Sequence, residues 1–137
     1  MKLLTKPIYE QLLRNGRARA AMDEKGDDGA DFMPVVKLFT PDAACTWLLT
    51  ELDPEDPDIA FGLCDLGFGC PELGSVRIPE IESVRGQFGL PVERDRYFTA
   101  SHTLSVYARA AWNAAVITEN AQALSEAAAV MAEGGVA

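Results

Sequence analysis

Three short apolar segments, separated by turn-forming residues, constrain the fold of this chain more than any other feature. They are MPVVKLFT (33–40), CTWLLTEL (45–52) and DIAFGLCDLG (58–67). Each is rich in the β-branched, aromatic and leucine residues that are typical of strands. The connections between them are short, which favours antiparallel hairpins because a parallel return needs a long crossover. With a further short strand at SVRI (75–78), the segments predict an antiparallel meander.

Helical signals flank the meander on both sides. Thr5 and Pro7 suit a helix start, and Asn15-Gly16 is a natural stop. From Val92 to Glu133 the chain has no glycine or proline and is rich in alanine, which favours one or two helices, with a pause at the β-branched residues 116–118. We therefore predict an α+β fold, in which an antiparallel meander of three to four strands packs against an N-terminal helix and one or two C-terminal helices.

The chain length of 137 residues fits a single domain spanning 1–137. Residues 17–31 are polar and contain glycines, so we predict a flexible loop or a frayed helix end there. Residues 108–137 form an alanine-rich segment, which we predict to be a helical C-terminal extension. Because alanine lets two helices approach closely, this extension is also a candidate contact in a homo-oligomer.

Composition and charge exclude several classes of function. The N-terminal residues lack the uninterrupted apolar core of a signal peptide, and no apolar run reaches membrane-spanning length, so we predict a cytoplasmic protein without a membrane partner. Twelve basic and twenty-one acidic residues give a formal charge of −9, which argues against general nucleic-acid binding. An acidic chain can instead imitate the phosphate charge of nucleic acid.

The cysteines, the histidine and the densest acidic stretch do not match a known metal or catalytic pattern. Cys45, Cys64 and Cys70 contain no CxxC pair, and His102 lies at a helix start, apart from them in sequence. The stretch ELDPEDPD (51–58) lacks the central glycine and the closing glutamate of an EF-hand loop. We therefore predict no cofactor and no metal, and three cysteines that are buried as small apolar residues.

The segment ESVRGQFGLPVERDRYF (82–98) combines six charges with two glycines and a proline. On a short helix, Glu82 and Arg85 would pair at i,i+3 spacing. If VERDRYF is extended, carboxylates lie on one face and guanidinium groups on the other. An arginine can bind a carboxylate or a phosphate through two parallel hydrogen bonds. The predicted binding surface therefore consists of Glu82, Arg85, Glu93, Arg94, Asp95, Arg96 and Tyr97.

Several stretches together resemble a bacterial family of small domains of unknown function, the DUF2958 family. They are MKLLTK, VVKLFTP followed by TWLLTELDP, FGLCDLG with PELG, and SVRG.FGLPVERD.YF, and the resemblance covers roughly residues 1–107. Members of this family are often carried on plasmids and other mobile elements. The family has no established activity, so the resemblance implies no catalytic residues. It implies a bacterial cytoplasmic setting and an accessory role in mobile-element biology.

Three functions are compatible with these patterns. The sequence favours a non-enzymatic module that binds a protein partner, because the charged segment lacks a nucleophile or a metal beside its carboxylates. The first alternative is a small enzyme for an anionic substrate, bound by Arg85 and Arg94, with Glu82 or Glu93 as acid or base. The second alternative is an acidic nucleic-acid mimic, which requires the carboxylates of 23–31 and 51–58 to form one surface. The charged segment could also be purely structural, held by partly exposed ion pairs.

Overall fold

The sheet has five antiparallel strands in the order β4-β3-β2-β1-β5, as seen in a computed structural model that describes residues 3–134. The strands are β1 (Val36–Phe39), β2 (Thr46–Asp53), β3 (Asp56–Asp65), β4 (Glu72–Arg77) and β5 (Glu93–Arg94). The helices are α1 (Lys6–Glu24), α2 (Ile78–Ser83), α3 (Leu104–Ala114) and α4 (Ala121–Ala132). This architecture confirms the predicted α+β fold and adds β5. Residues 1, 2 and 135–137 of the predicted 1–137 domain and 108–137 extension lie outside the described residues.

Helices cover both faces of the sheet, because side chains along β2 alternate between two cores. Trp47 and Leu49 pack in the core that also contains buried residues of α1 and α2. Leu48, between them in sequence, packs in a second core with buried residues of α3 and α4. Burying a leucine contributes on the order of 2 kcal/mol, so both layers stabilise the sheet.

The first helix runs past its predicted stop. Thr5 caps it as expected, since its Oγ1 accepts a hydrogen bond from the Ile8 main-chain N–H at 3.4 Å. The predicted stop at Asn15-Gly16 is wrong, because α1 continues to Glu24. Of the loop or frayed helix end predicted at 17–31, only residues 25–31 lie outside the helix. Tertiary contacts explain why Asn15 and Gly16 occur inside the helix. Asn15 Nδ2 donates to the Thr50 carbonyl oxygen at 2.8 Å, and a Cβ at Gly16 would lie 1.8 Å from the Leu52 carbonyl oxygen.

The connection from α1 to β1 is attached to the start of α3. Both carboxylate oxygens of Asp31 accept hydrogen bonds from Ser105, from its main-chain N–H at 3.1 Å and from its hydroxyl. The Leu104 N–H donates to the Phe32 carbonyl oxygen at 2.9 Å. Thr103 is the N-cap residue of α3 but makes no capping hydrogen bond with its side chain. Asp31 therefore satisfies a free N–H of α3 from a distant part of the chain.

The C-terminal segment consists of two helices, with the break at the predicted β-branched residues. Ala115 ends α3 in the left-handed region at a φ of 62°. Buried Asp65 holds the connection, because its carboxylate accepts hydrogen bonds from the N–H of Ile117 at 3.0 Å and of Gly67 at 2.9 Å. Both helices contribute buried residues such as Ala111 and Leu124 to the second core, which also contains Leu48 and Leu63 of the sheet. The homo-oligomer contact stays a prediction.

Candidate functional site

The charged segment begins with a tight loop that wraps around Asp42 in the β1–β2 turn. Asp42 Oδ2 accepts hydrogen bonds from the N–H groups of Phe88 at 2.6 Å and Leu90 at 3.3 Å. Gly86 fits only because it lacks a side chain, since a Cβ there would lie 1.6 Å from Asp42 Oδ1. Asp42 is not among the predicted site residues, so its role in positioning residues 86–90 was missed.

The predicted ion pair between Glu82 and Arg85 does not form within the described part of the chain. Arg85 Nη1 donates instead to main-chain oxygens, of Glu82 at 2.9 Å and of Val84 at 2.8 Å. The physical reason is that α2 ends at Ser83 and Val84 is extended, with φ −67° and ψ 137°. Arg85 therefore lies beyond the helix, where i,i+3 side chains no longer share a face.

The extended conformation predicted for VERDRYF ends after two residues of strand. β5 pairs with β1, where Arg94 is opposite Leu38 and Glu93 is opposite Phe39. The chain then turns at Asp95, whose carboxylate accepts a hydrogen bond from the Tyr97 N–H at 2.9 Å. The predicted separation of charge signs between two faces is therefore wrong beyond Arg94, because an aspartate that bonds two residues ahead initiates a turn.

Three of the predicted site residues share a cleft on this turn. Arg94, Asp95 and Arg96 line a cavity of about 230 Å³ together with apolar residues that include Ile8 and Phe98. Arg94 is anchored, because its Nη1 donates to the Leu3 carbonyl oxygen at 2.5 Å. Arg96 is exposed.

Two neighbouring features complete this surface. Asp95 Oδ2 lies 3.7 Å from Lys37 Nζ. Tyr97 is 94% exposed beside Arg96. We call Arg94, Asp95, Arg96 and Tyr97 the β5 surface.

The other predicted residues do not join the β5 surface in a common pocket. Glu82 lines a different cleft, whose lining includes Leu3 and Tyr9 but none of Arg85, Glu93 and Arg94. Glu82 and Glu93 are both exposed. The enzyme alternative requires these carboxylates and arginines in one concave site. Glu82 and Arg94 line two separate clefts instead. Among residues 3–134, no group of three histidine, cysteine or carboxylate side chains is arranged to hold a metal ion.

The three cysteines differ in exposure, which corrects the prediction that all of them are buried. Cys70 is exposed, whereas Cys45 and Cys64 are partly buried. Burial, and to a smaller extent the nearby Glu72 carboxylate, raises the pKa of the Cys64 thiol to about 11. Burial also raises the pKa of the Cys45 thiol. Because the thiolate is the nucleophile, these shifts disfavour a catalytic role for Cys45 and Cys64.

Iodoacetamide at pH 8 is expected to alkylate Cys70 first and Cys64 last. A pKa of about 11 leaves little Cys64 thiolate at this pH, so the Cys64 rate should keep rising as the pH is raised toward that value. Time-limited labelling followed by mass spectrometry of peptides measures the three rates. Labelling in concentrated urea is the control, since unfolding should make the rates similar. Equal rates for Cys64 and Cys70 in the folded protein would contradict the raised pKa of the Cys64 thiol.

A buried ion pair between α1 and β2 is a feature that the sequence did not reveal. Arg19 Nε donates to Glu51 Oε2 at 2.5 Å, and the Glu51 side chain is only 7% exposed. The Arg19 guanidinium also lies over two aromatic rings, with its Cζ 5.7 Å from the centroid of Phe32 and 5.5 Å from that of Phe61. Glu51 follows an irregularity in the pairing of β2 with β3, where the register shifts between Leu49 and Glu51.

The acidic segments 23–31 and 51–58 meet at one place, where Asp23 and Asp53 line the same cleft. Three carboxylates of these segments have a basic partner, since Glu51 pairs with Arg19, and Asp56 and Asp58 with Arg77. Arg77 lies 3.5 Å from an Asp56 oxygen and 4.0 Å from an Asp58 oxygen. The continuous acidic surface that a nucleic-acid mimic requires is therefore interrupted by basic residues.

The comparisons with known proteins give one match. The family described as "Protein of unknown function (DUF2958)" matches residues 3–118, which include α1, the whole sheet and α3. The matched range extends beyond residue 107, where the resemblance seen in the sequence ended. No curated protein and no solved structure is significantly similar to the chain. Within residues 3–134, no helix is both long enough and apolar enough to cross a membrane.

Proposed function

Because the chain belongs to the DUF2958 family, whose description assigns no activity, we propose a function from the chain's own surface. The protein is a non-enzymatic module that binds a protein partner through the β5 surface, Arg94, Asp95, Arg96 and Tyr97. The observation that carries this proposal is the exposure of Tyr97, which is 94%, beside a cleft lined by two arginines. Tyrosine and arginine are enriched among the residues that contribute most to protein–protein binding.

The main chain under the β5 surface is already ordered, which favours binding. The Asp95 N–H donates to the Lys37 carbonyl oxygen at 2.9 Å, and the Phe98 N–H donates to the Asp95 carbonyl oxygen at 3.4 Å. A surface held in this way loses less conformational entropy when a partner binds. Tyrosine also presents a large apolar ring at a small entropic cost, because it has few rotatable bonds.

The charges of the β5 surface favour an acidic segment of the partner. Arg94 and Arg96 both line the cleft and place two positive charges there. The exposed guanidinium of Arg96 can bind a carboxylate through paired hydrogen bonds. Asp95 and Glu119 offset part of this charge, since Lys37 Nζ lies 3.7 Å from Asp95 and 2.5 Å from Glu119. With Arg94, Arg96 and Lys37 against these two carboxylates, the group still carries a net positive charge. An accessory role in mobile-element biology, with a partner encoded by the host or by the element, fits a binding module of this kind.

Affinity capture with the variant Arg96→Glu/Tyr97→Ala tests the proposal. Arg94 is left unchanged, because it holds the Leu3 carbonyl oxygen and its loss would disturb the fold. We expect the variant to lose a partner that the wild-type protein captures. Against that partner in purified form, the affinity of the variant should be at least about tenfold lower than that of the wild-type protein. The matched control is Arg17→Glu, which makes the same charge change at an exposed position of α1. If all three baits capture the same proteins in the same amounts, the β5 surface is not the partner-binding surface.

A further inference from the structure

A second concave site lies between α1 and the hairpin formed by β2 and β3, at the end of the sheet opposite the β1–β2 turn. It has a volume of about 310 Å³, which is within the usual range for small-molecule sites. We call it the α1–hairpin cleft. Its lining comprises Gly16, Arg19, Ala20, Asp23, Glu51, Leu52, Asp53, Pro54, Ile59, Ala60, Phe61 and Ser75.

The charges in the α1–hairpin cleft are unbalanced. Asp23, Glu51 and Asp53 are acidic, whereas Arg19 is the one cation among the lining residues. Glu51 and Arg19 neutralise each other through their 2.5 Å ion pair. Asp23 and Asp53 are exposed, and the basic residue Arg77, at the end of β4, pairs with Asp56 and Asp58 instead. The two rim carboxylates therefore give the cleft a negative potential that favours a cation.

One wall of the α1–hairpin cleft is apolar, so the site offers more than a group of carboxylates. Pro54, Ile59 and Phe61 line it. The chain itself shows which chemistry this wall accepts, because the Arg19 guanidinium lies 5.5 Å from the Phe61 ring centroid while its Nε binds Glu51. Cationic side chains such as arginine and lysine favour this arrangement, in which the alkyl stem lies along an apolar surface and the charged head lies beside carboxylates.

We propose that the α1–hairpin cleft binds an aliphatic ammonium group, with the charged nitrogen paired to the rim carboxylates Asp23 and Asp53. The alkyl stem of the ligand lies along Pro54 and Ile59. A free alkylamine and the side chain of a lysine both carry this chemistry. The site is separate from the β5 surface, since the two clefts share no lining residue.

Titration with n-pentylamine, followed by NMR shifts of the backbone amides at constant ionic strength, tests the proposal. We expect saturable shifts at Ala20 and Ala60, which line the cleft. 1-Pentanol, the neutral analogue, should produce much smaller shifts, because it lacks the charge. Nα-acetyl-lysine amide distinguishes the two sources, since tighter binding than that of pentylamine would indicate a lysine side chain of a peptide and weaker binding a free amine.

The variant Asp23→Asn should weaken pentylamine binding about threefold to fivefold, the usual value of one partly exposed charge pair. Asp23 suits this test because it is exposed and the hydrogen bond that it accepts from the Gly26 N–H uses the main-chain oxygen, which the substitution leaves in place. The matched control Glu10→Gln removes an equally exposed carboxylate from α1 outside the cleft lining and should leave the affinity unchanged. Equal effects of the two substitutions, equal binding of pentanol, or shifts spread over every acidic segment would each overturn the proposal.

Discussion

Replacing Glu51 by alanine is expected to lower the free energy of unfolding by about 3 kcal/mol, the low end of the range for breaking a buried ion pair. The Arg19 side chain is 30% exposed, so water compensates part of the loss, which is the reason for choosing the low end. In the variant, the Arg19 guanidinium would still lie over the rings of Phe32 and Phe61 but would have lost the carboxylate that neutralises its charge. Urea unfolding of the wild-type protein and of Glu51→Ala measures the difference.

Two further variants separate the buried charge from the general loss of a side chain. Arg19→Met/Glu51→Leu removes both charges together and should recover most of the stability, because no uncompensated charge is left. Arg77→Ala breaks an ion pair whose members are 46% and 45% exposed, and should cost less than about 1 kcal/mol. If Glu51→Ala costs no more than Arg77→Ala, the Arg19–Glu51 pair does not stabilise the fold.

The strands of the meander were predictable because their signals are local. Each of the segments 33–40, 45–52 and 58–67 carries its own apolar composition and its own turn residues, and β1, β2 and β3 fall within or close to them. The register shift in β2 was not predictable. It depends on which residue of β2 lies opposite Phe61, and that is a property of the paired strands rather than of either segment.

The residues of the candidate sites also divide into those with a local signal in the sequence and those whose role depends on distant contacts. Arg96 and Tyr97 were identified because charge and aromatic character are visible in the sequence, and the β5 surface exposes both. The Arg19–Glu51 pair joins residues 32 apart, and Asp42 holds the N–H of Phe88, 46 residues away. No spacing rule connects such positions, so only the folded chain shows that they meet.

Gly16 is the residue at which local reasoning was most clearly overridden. A glycine after asparagine is a common helix end, and the sequence offers no sign of an approaching strand. In the fold, α1 crosses β2 so closely that only glycine fits between them. The same crossing brings Asn15 to the Thr50 carbonyl oxygen, and Arg19, one helical turn further along α1, reaches Glu51.

Replacing Gly16 by alanine is therefore expected to destabilise the protein, against the usual effect of this substitution in a helix. In an ordinary helix interior, the change from glycine to alanine stabilises by about 1 kcal/mol. Here the new Cβ would lie 1.8 Å from the Leu52 carbonyl oxygen and 3.3 Å from Pro54 Cδ. The first obstacle is the main chain of an inner strand of the sheet, which cannot rotate away as a side chain would. The helix must move instead, and we expect a net loss of about 2–3 kcal/mol, the cost of overpacking a well-packed core.

Urea unfolding of Gly16→Ala and Ala18→Gly tests this account of the crossing. Ala18 is exposed on α1, so its change to glycine should cost only the difference in helix propensity, about 1 kcal/mol. Because α1 must move away from β2, Gly16→Ala should also weaken the Asn15 hydrogen bond to Thr50, which amide hydrogen exchange around residues 50–52 would detect. A Gly16→Ala variant as stable as the wild-type protein or more so would mean that propensity outweighs the contact with Leu52. Gly16 would then only lower the stability of the helix.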